Sequence, residues 1–286
     1  MKKIVLTTLI FIFTLVFMIG CSNNEIDLIA IEVEKMQTLN DGVTSDAPLS
    51  PTSRFFNNAS APKTKTVEFE GKKYTGTYTQ SCYDAYFIEA WDEYDFGDGT
   101  IGVSISDGSL MSFISIKTQK GNKSAKECDE IATNLAQKYI NINDFSLEVT
   151  NDGGGYLYSY TYTRYINGNK TGEQLRVIVS TDGQIELFNF SMLGAFDKAI
   201  SKKGDMMQCV DAFNSEKAQK MATDAVKLSA EDGWFHEKTE EGNLVAFSDG
   251  SIGMVYKVTY AKNTPTDEKG NYVSTSLSKD IIIKQK

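Results

Sequence analysis

A lone histidine, one dense run of carboxylates and four cysteines are the groups in this chain whose types could carry chemistry. His236 follows Trp234 and Phe235 at the start of an expected strand. Ser–His–Asp or Cys–His catalysis would have to run through that one ring, and a single imidazole cannot build a His-rich metal site. No serine sits in a Gly-x-Ser-x-Gly elbow. The acidic run Asp92-Glu93-Tyr94-Asp95-Phe96-Gly97-Asp98-Gly99 gathers oxygen ligands at a glycine turn, the donor type that calcium takes, with Asp92, Asp95 and Asp98 as the candidate ligands. Its spacing departs from the EF-hand pattern and no bidentate Glu follows at the right distance, so a solvated hairpin tip is the expectation. No catalytic set, no resident metal and no cofactor are expected. Tyr156, Tyr158, Tyr160 and Tyr162 would share one face of a strand, where four phenols make an adhesive surface for peptide or glycan. The matching positions Met254, Tyr256, Val258 and Tyr260 are more aliphatic, which points to core beneath a helix; Phe87, Trp91 and Phe113 read the same way.

The compartment is written at the start of the chain. Lys2 and Lys3 precede an apolar run over residues 4–20, the pattern of a secretory signal peptide. Gly20-Cys21 and the polar Ser22-Asn23-Asn24-Glu25 after it resemble a bacterial lipobox, with Met18 where a branched aliphatic is usual. The expectation is a signal peptide over 1–20 and lipidation at Cys21. The mature chain would then be extracytoplasmic, anchored through lipid to the outer face of a bacterial membrane. An uncleaved anchor is the alternative, because the run has about the minimum length for a span, roughly 17 residues. Either way the remainder faces outward.

Composition narrows the partners. The full chain carries formal net charge −9, and without Lys2 and Lys3 the remainder carries −11. Such a surface repels phosphate backbones, so nucleic acid is excluded as a partner, whereas a basic ligand would be steered toward it. After lipidation Cys82, Cys128 and Cys209 remain, in no Cys-x-x-Cys spacing; one disulfide plus a thiol, or three thiols, are both open. Cys128 falls on an apolar helical stripe and is assigned to packing.

The elements that must position these groups follow from periodicity. Residues 37–64 are rich in Ser, Thr, Asn, Ala and Pro and read as linker, within a lipid-anchored tether over 21–64. Ile26, Ile29, Val33 and Met36 fit a short amphipathic helix, while alternation at Ile26 and Leu28 fits a strand instead. Segments 125–139 and 215–229 echo one another. Cys128, Ile131, Ala132, Leu135 and Tyr139 recur at helical spacing, as do Ala218, Met221, Ala222, Ala225 and Ser229, with Ser124 and Asn214 as N-caps. Period-two strands are expected near 145–150, 156–162, 175–180, 185–191 and 254–260, and before them at 83–94, 101–106 and 110–116. Turns fall at Asn167-Gly168, Asp182-Gly183 and Asp107-Gly108.

The expected architecture is therefore α+β: tandem units of one helix on a four-stranded antiparallel sheet, at 121–195 and 212–286, after a sheet-rich N-terminal unit at 65–120. One helix followed by an antiparallel meander, with the strand-turn-strand Leu175-Arg-Val-Ile-Val-Ser-Thr-Asp-Gly-Gln-Ile-Glu-Leu, resembles the PepSY superfamily. Its domains occur in peptidase propeptides and bacterial envelope proteins. The resemblance covers 122–195 and, more loosely, 212–286, where the Asp-Gly hairpin ending is missing. It implies a non-catalytic module that binds or restrains a peptidase or another envelope protein, and it assigns no site residues. A sheet edge or groove that accepts a protein or peptide leads the functional readings. An enzyme or enzyme subunit, metal-assisted through the acids of 92–98, and a structural envelope or spore component stay open beside it.

Overall fold

Alternation of apolar and polar side chains dominates this sequence, and in the computed structural model it becomes strands. The structure describes residues 26–33, 55–84, 86, 88–117, 119–151, 154–202, 206–228, 232–247, 249–266 and 270–286. Among them the chain runs β1 (Leu28–Glu32), β2 (Phe55–Phe56), β3 (Thr64–Phe69), β4 (Lys72–Tyr83), β5 (Ala90–Asp95), β6 (Gly99–Ser104) and β7 (Leu110–Ser115). Then come α1 (Ala125–Ala136), β8 (Phe145–Asn151), β9 (Leu157–Ile166), β10 (Asn169–Ser180) and β11 (Ile185–Ser191). Three short helices follow, α2 (Ala195–Lys202), α3 (Met206–Phe213) and α4 (Glu216–Ala225). The chain closes with β12 (Trp234–Ala246), β13 (Ile252–Pro265) and β14 (Tyr272–Gln285).

The expectation of tandem helix-on-four-strand units is corrected. All fourteen strands join in one mixed sheet, in the order β1-β14-β13-β12-β10-β11-β7-β6-β5-β4-β2, with β3 on β4 and β9 and β8 continuing from β10. Periodicity says which face of a strand is buried, not whose backbone meets its edge. An edge strand offers a row of unpaired N–H and C=O groups, and a neighbouring meander satisfies them. Thus β7 pairs antiparallel with β11, which merges the N-terminal strands with those that follow α1. A single parallel pairing, Thr171 with Leu244, joins β10 to β12.

Two cores result. Directly opposed residues form one continuous row across eight strands, from Val149, exposed at the rim, through the buried Tyr160, Val177, Phe188, Phe113, Ile101 and Tyr94 to the half-buried Tyr78. Cys128, Ala132, Leu135 and Ala136 of α1 pack on it, and the β3–β4 hairpin adds Phe69, whose ring lies 4.7 Å from that of Phe113. Small residues on the stripe bring the helix axis close to the sheet. The second core lies among β1, β12–β14 and the short helices, around Phe196, Val210, Phe213, Ala222, Tyr256 and the three isoleucines 281–283. Each isoleucine is fully buried, and such burial is worth about 1.5–3 kcal/mol per side chain.

Local details sharpen or correct the sequence reading. Ser124 caps α1 in a reciprocal box with Glu127, as expected. The cap of α4 is Ser215 rather than Asn214, whose amide reaches Asn169 instead. The long strand expected over 83–94 is broken, since β4 ends at Tyr83 and β5 begins at Ala90. Residues 28–32 form a strand, the second of the two alternatives, and pair antiparallel with the last strand of the chain. Residues 55–56 and the first residue of β3 fall inside the segment expected to be linker, and α2 and α3 occupy a stretch to which no element had been assigned.

Candidate functional site

Three chain segments converge beside the junction of the two cores, and between them lies a cavity of about 520 Å3. The first is the loop after β4. Asp84 turns it, its carboxylate accepting from the backbone N–H groups of Tyr86, Ile88 and Glu89 at 2.8, 2.9 and 3.2 Å. That clamp aims Ile88 and Glu89 at the cavity. The second is the β6–β7 turn, where Asp107 accepts from Ser109 N at 3.0 Å and Ser104, Ser106 and Ser109 bring hydroxyls. The third is the link from β11 into α2, which supplies Phe190, Leu193, Ala195 and Lys198.

That link is held by two carboxylates. Met192 takes a left-handed φ of 54°, a conformation costly for a side-chain-bearing residue, and Gly194 has φ of 71°. Glu89 Oε2 accepts from Met192 N at 3.0 Å, and Glu173 Oε1 accepts from Gly194 N at 2.7 Å. Glu173 is in turn neutralised by Arg164 at 3.0 Å, which also reaches Asp197 in the first turn of α2 at 2.7 Å. Fixing both N–H groups gives the turn one conformation and so places Leu193 and Lys198 on the cavity wall.

The electrostatics are mixed by design of the lining. Burial pushes the Glu89 carboxyl above its ordinary value; the Met192 N–H pulls it back, Asp84 and Asp107 raise it further, and Lys198 lowers it. Asp107 goes the other way, held low by hydrogen bonds from the Ser109 side chain and backbone. Ile105, Met111, Phe190 and Phe247 make the remainder apolar. Two carboxyl groups against one ammonium favour an apolar group that carries a cation or a hydrogen-bond donor. A concave apolar site with a few convergent polar groups and a perturbed carboxyl is the form that ligand sites take.

The sequence candidates lie elsewhere. Asp92 is buried, accepting from Ser81 Oγ at 2.6 Å and Asn58 Nδ2 at 3.1 Å, so it belongs to a core network rather than to a hairpin tip. Asp95 accepts from Gly97 N at 2.6 Å, and Asp98 pairs with Lys117. The three carboxylates are thus not brought together, and among the described residues no three His, Cys, Asp or Glu stand close enough to hold a metal ion. Residues 97–102 have the spacing Gly-x-Gly-x-x-Gly, but on the β5–β6 hairpin, where no helix N-terminus stands to receive a pyrophosphate. His236 is exposed on β12, its Nε2 2.8 Å from Thr239 Oγ1 and its ring edge-on to Tyr260. Tyr160 and Tyr162 are buried under α1 and belong to the core, as does Phe113, whereas Tyr156, Tyr158 and Trp91 are half-buried. Cys128 is a buried free thiol whose Sγ faces Ser180 O at 3.7 Å, and Cys82 is buried too. Cys21, the signal region, Phe87 and the side chain of Cys209 lie outside the described residues.

Sequence reasoning missed Glu89, Asp107 and Lys198 as a group. Asp107-Gly108 showed itself as a turn, and nothing in the spacing of Glu89 and Lys198, over a hundred residues apart, signals that they meet.

No family model and no curated protein matches this chain. Among solved structures it is similar to the Bacillus megaterium YpeB C-terminal domain, at 10% identity over 75% of this chain and 88% of that chain, with a TM-score of 0.32.

Proposed function

We propose that this protein is an extracytoplasmic, lipid-anchored, non-catalytic module that binds a peptide segment of an envelope protein. The junction cavity would take an apolar side chain flanked by a basic one. The observation that carries this reading is the cavity itself, apolar in its body and bounded by Glu89, Asp107 and Lys198. The lipobox-like start, the PepSY resemblance of 122–195 and the acidic charge of the mature chain support the compartment and the preference for a basic partner.

A photo-crosslinking amino acid at Ile105, inside the cavity, tests it in cells that make the full chain. Phe235, exposed on β12 and away from the cavity, serves as the control position. Adducts are expected from position 105 and not from 235, and they should disappear when Ala246→Phe fills the cavity. Equal adducts from both positions, or none from 105, would end this reading. Separately, Cys21→Ala should move the protein from the membrane fraction to the soluble one.

A further inference from the structure

The strand next to the lipid attachment point is part of the fold, and that fixes which end of the molecule meets the bilayer. Leu28 lies seven residues after Cys21, so the lipidated thiol stands at most about 25 Å from the start of β1. β1 is no free tether. It is hydrogen-bonded in register to the end of β14, from Leu28 opposite Gln285 to Glu32 opposite Ile281, with Leu28 and Val33 buried in the second core.

The sheet has two distant ends. β13 and β14 pair from Gly253 opposite Lys284 to Pro265 opposite Tyr272, a ladder about 40 Å long. β1 joins at the Lys284 end. Ala246 and Phe247, which line the junction cavity, lie at that same end through the pairing of Ala246 with Ile252. Three strand spacings, about 14 Å, separate Val245, the neighbour of Ala246, from Ile29.

Ion pairs offset part of the acidic charge at that end. Although the mature chain is strongly acidic, residues 26–33 and 279–286 hold three lysines and three acids. Lys286 pairs with Asp27 at 3.6 Å, Lys279 with Glu32 at 3.4 Å, and Lys284 with Asp249 at 3.8 Å. These ion pairs lessen the repulsion that anionic lipid exerts on an acidic face without removing it, because Asp280 and the cavity acids Glu89 and Asp107 stand at the same end.

We infer that the β1 end of the sheet rests on the membrane surface, with the junction cavity at the bilayer and the Pro265–Tyr272 end of the β13–β14 ladder pointing away. This rests on lipidation at Cys21, and the experiment separates the two claims. The full lipidated protein is bound to phosphatidylethanolamine–phosphatidylglycerol vesicles that carry a nitroxide headgroup quencher. A fluorescent amino acid stands either at Asp249, at the cavity end, or at Tyr272, at the far end. Quenching at 249 is expected to exceed that at 272 at least twofold. Inserting about twenty Gly and Ser residues after Ser22 adds roughly 25 Å of flexible reach and should abolish the difference. Equal quenching in the uninserted chain, or stronger quenching at 272, overturns the orientation while leaving the anchor intact. Failure of the parent to bind vesicles more than Cys21→Ala does overturns both.

Discussion

α1 and α4 each lie across antiparallel strands, yet their sheets are completed in opposite ways. Beneath α1, β9 and β10 are joined by the turn at Asn167-Gly168, both in left-handed conformation, and β11 returns through Asp182-Gly183. Within β8–β11 every partner is close in sequence, whereas β11 also pairs across α1 with β7. Beneath α4, β14 has no such return, and its outer edge is covered by β1 from the other end of the chain. The difference teaches that one sheet segment is closed by a hairpin and the other by backbone pairing that must overcome the closure entropy of more than two hundred intervening residues, a slow and non-local contact.

The largest test of this contrast is a buried charge in each core. Leu135→Asp and Ile282→Asp each place an unpaired carboxylate where the side chain is now almost fully buried, and each should cost on the order of 4–5 kcal/mol, read as loss of the unfolding transition. A milder cut separates the two regions. Leu28→Ala should cost about 2–4 kcal/mol, and hydrogen exchange should accelerate in 252–285 while 145–191 stays protected. Uniform loss of protection would show that the two sheet segments unfold as one.

Cap deletions give a smaller and paired comparison. Ser124→Ala and Ser215→Ala should each cost about 1 kcal/mol, with the larger loss at Ser124, whose box with Glu127 is reciprocal, in denaturant melts. The smallest effect is a pH slope at the junction between the regions. Glu89 titrates above its unfolded value because it is buried. The stability tied to its protonated form is therefore whole below the unfolded pKa and lost as pH rises through the folded one. Glu89→Gln keeps an oxygen for Met192 N. Its stability relative to the parent should grow across the upper carboxyl range and then level off, and a difference that shrank with rising pH would reverse this assignment.

Much of the local structure was legible because it depends on neighbours in sequence. Period two placed β6, β7 and β11 within a residue or two, helical spacing placed α1 and α4, and the Asp-Gly and Asn-Gly turns fall where expected. What stayed hidden is non-local. No pattern in 28–32 announces a partner at 281–285, and none in 110–115 announces β11. Asp92 shows the same limit at a single residue: it read as part of a solvated hairpin tip, and Asn58 and Ser81, which make its burial tolerable, come from separate segments. The junction cavity was illegible for this reason, being assembled from three separate segments of which only Asp107-Gly108 read as a turn.

The strand at the far rim has a consequence of its own. β8 pairs with β9 alone among the described strands, and Leu147 and Val149 stand exposed on it. Two molecules meeting rim to rim could zip their backbones together and grow the sheet outward. Glu148, set between those two aliphatic residues, puts like charge against like charge in such a pairing and so acts as a guard on solubility.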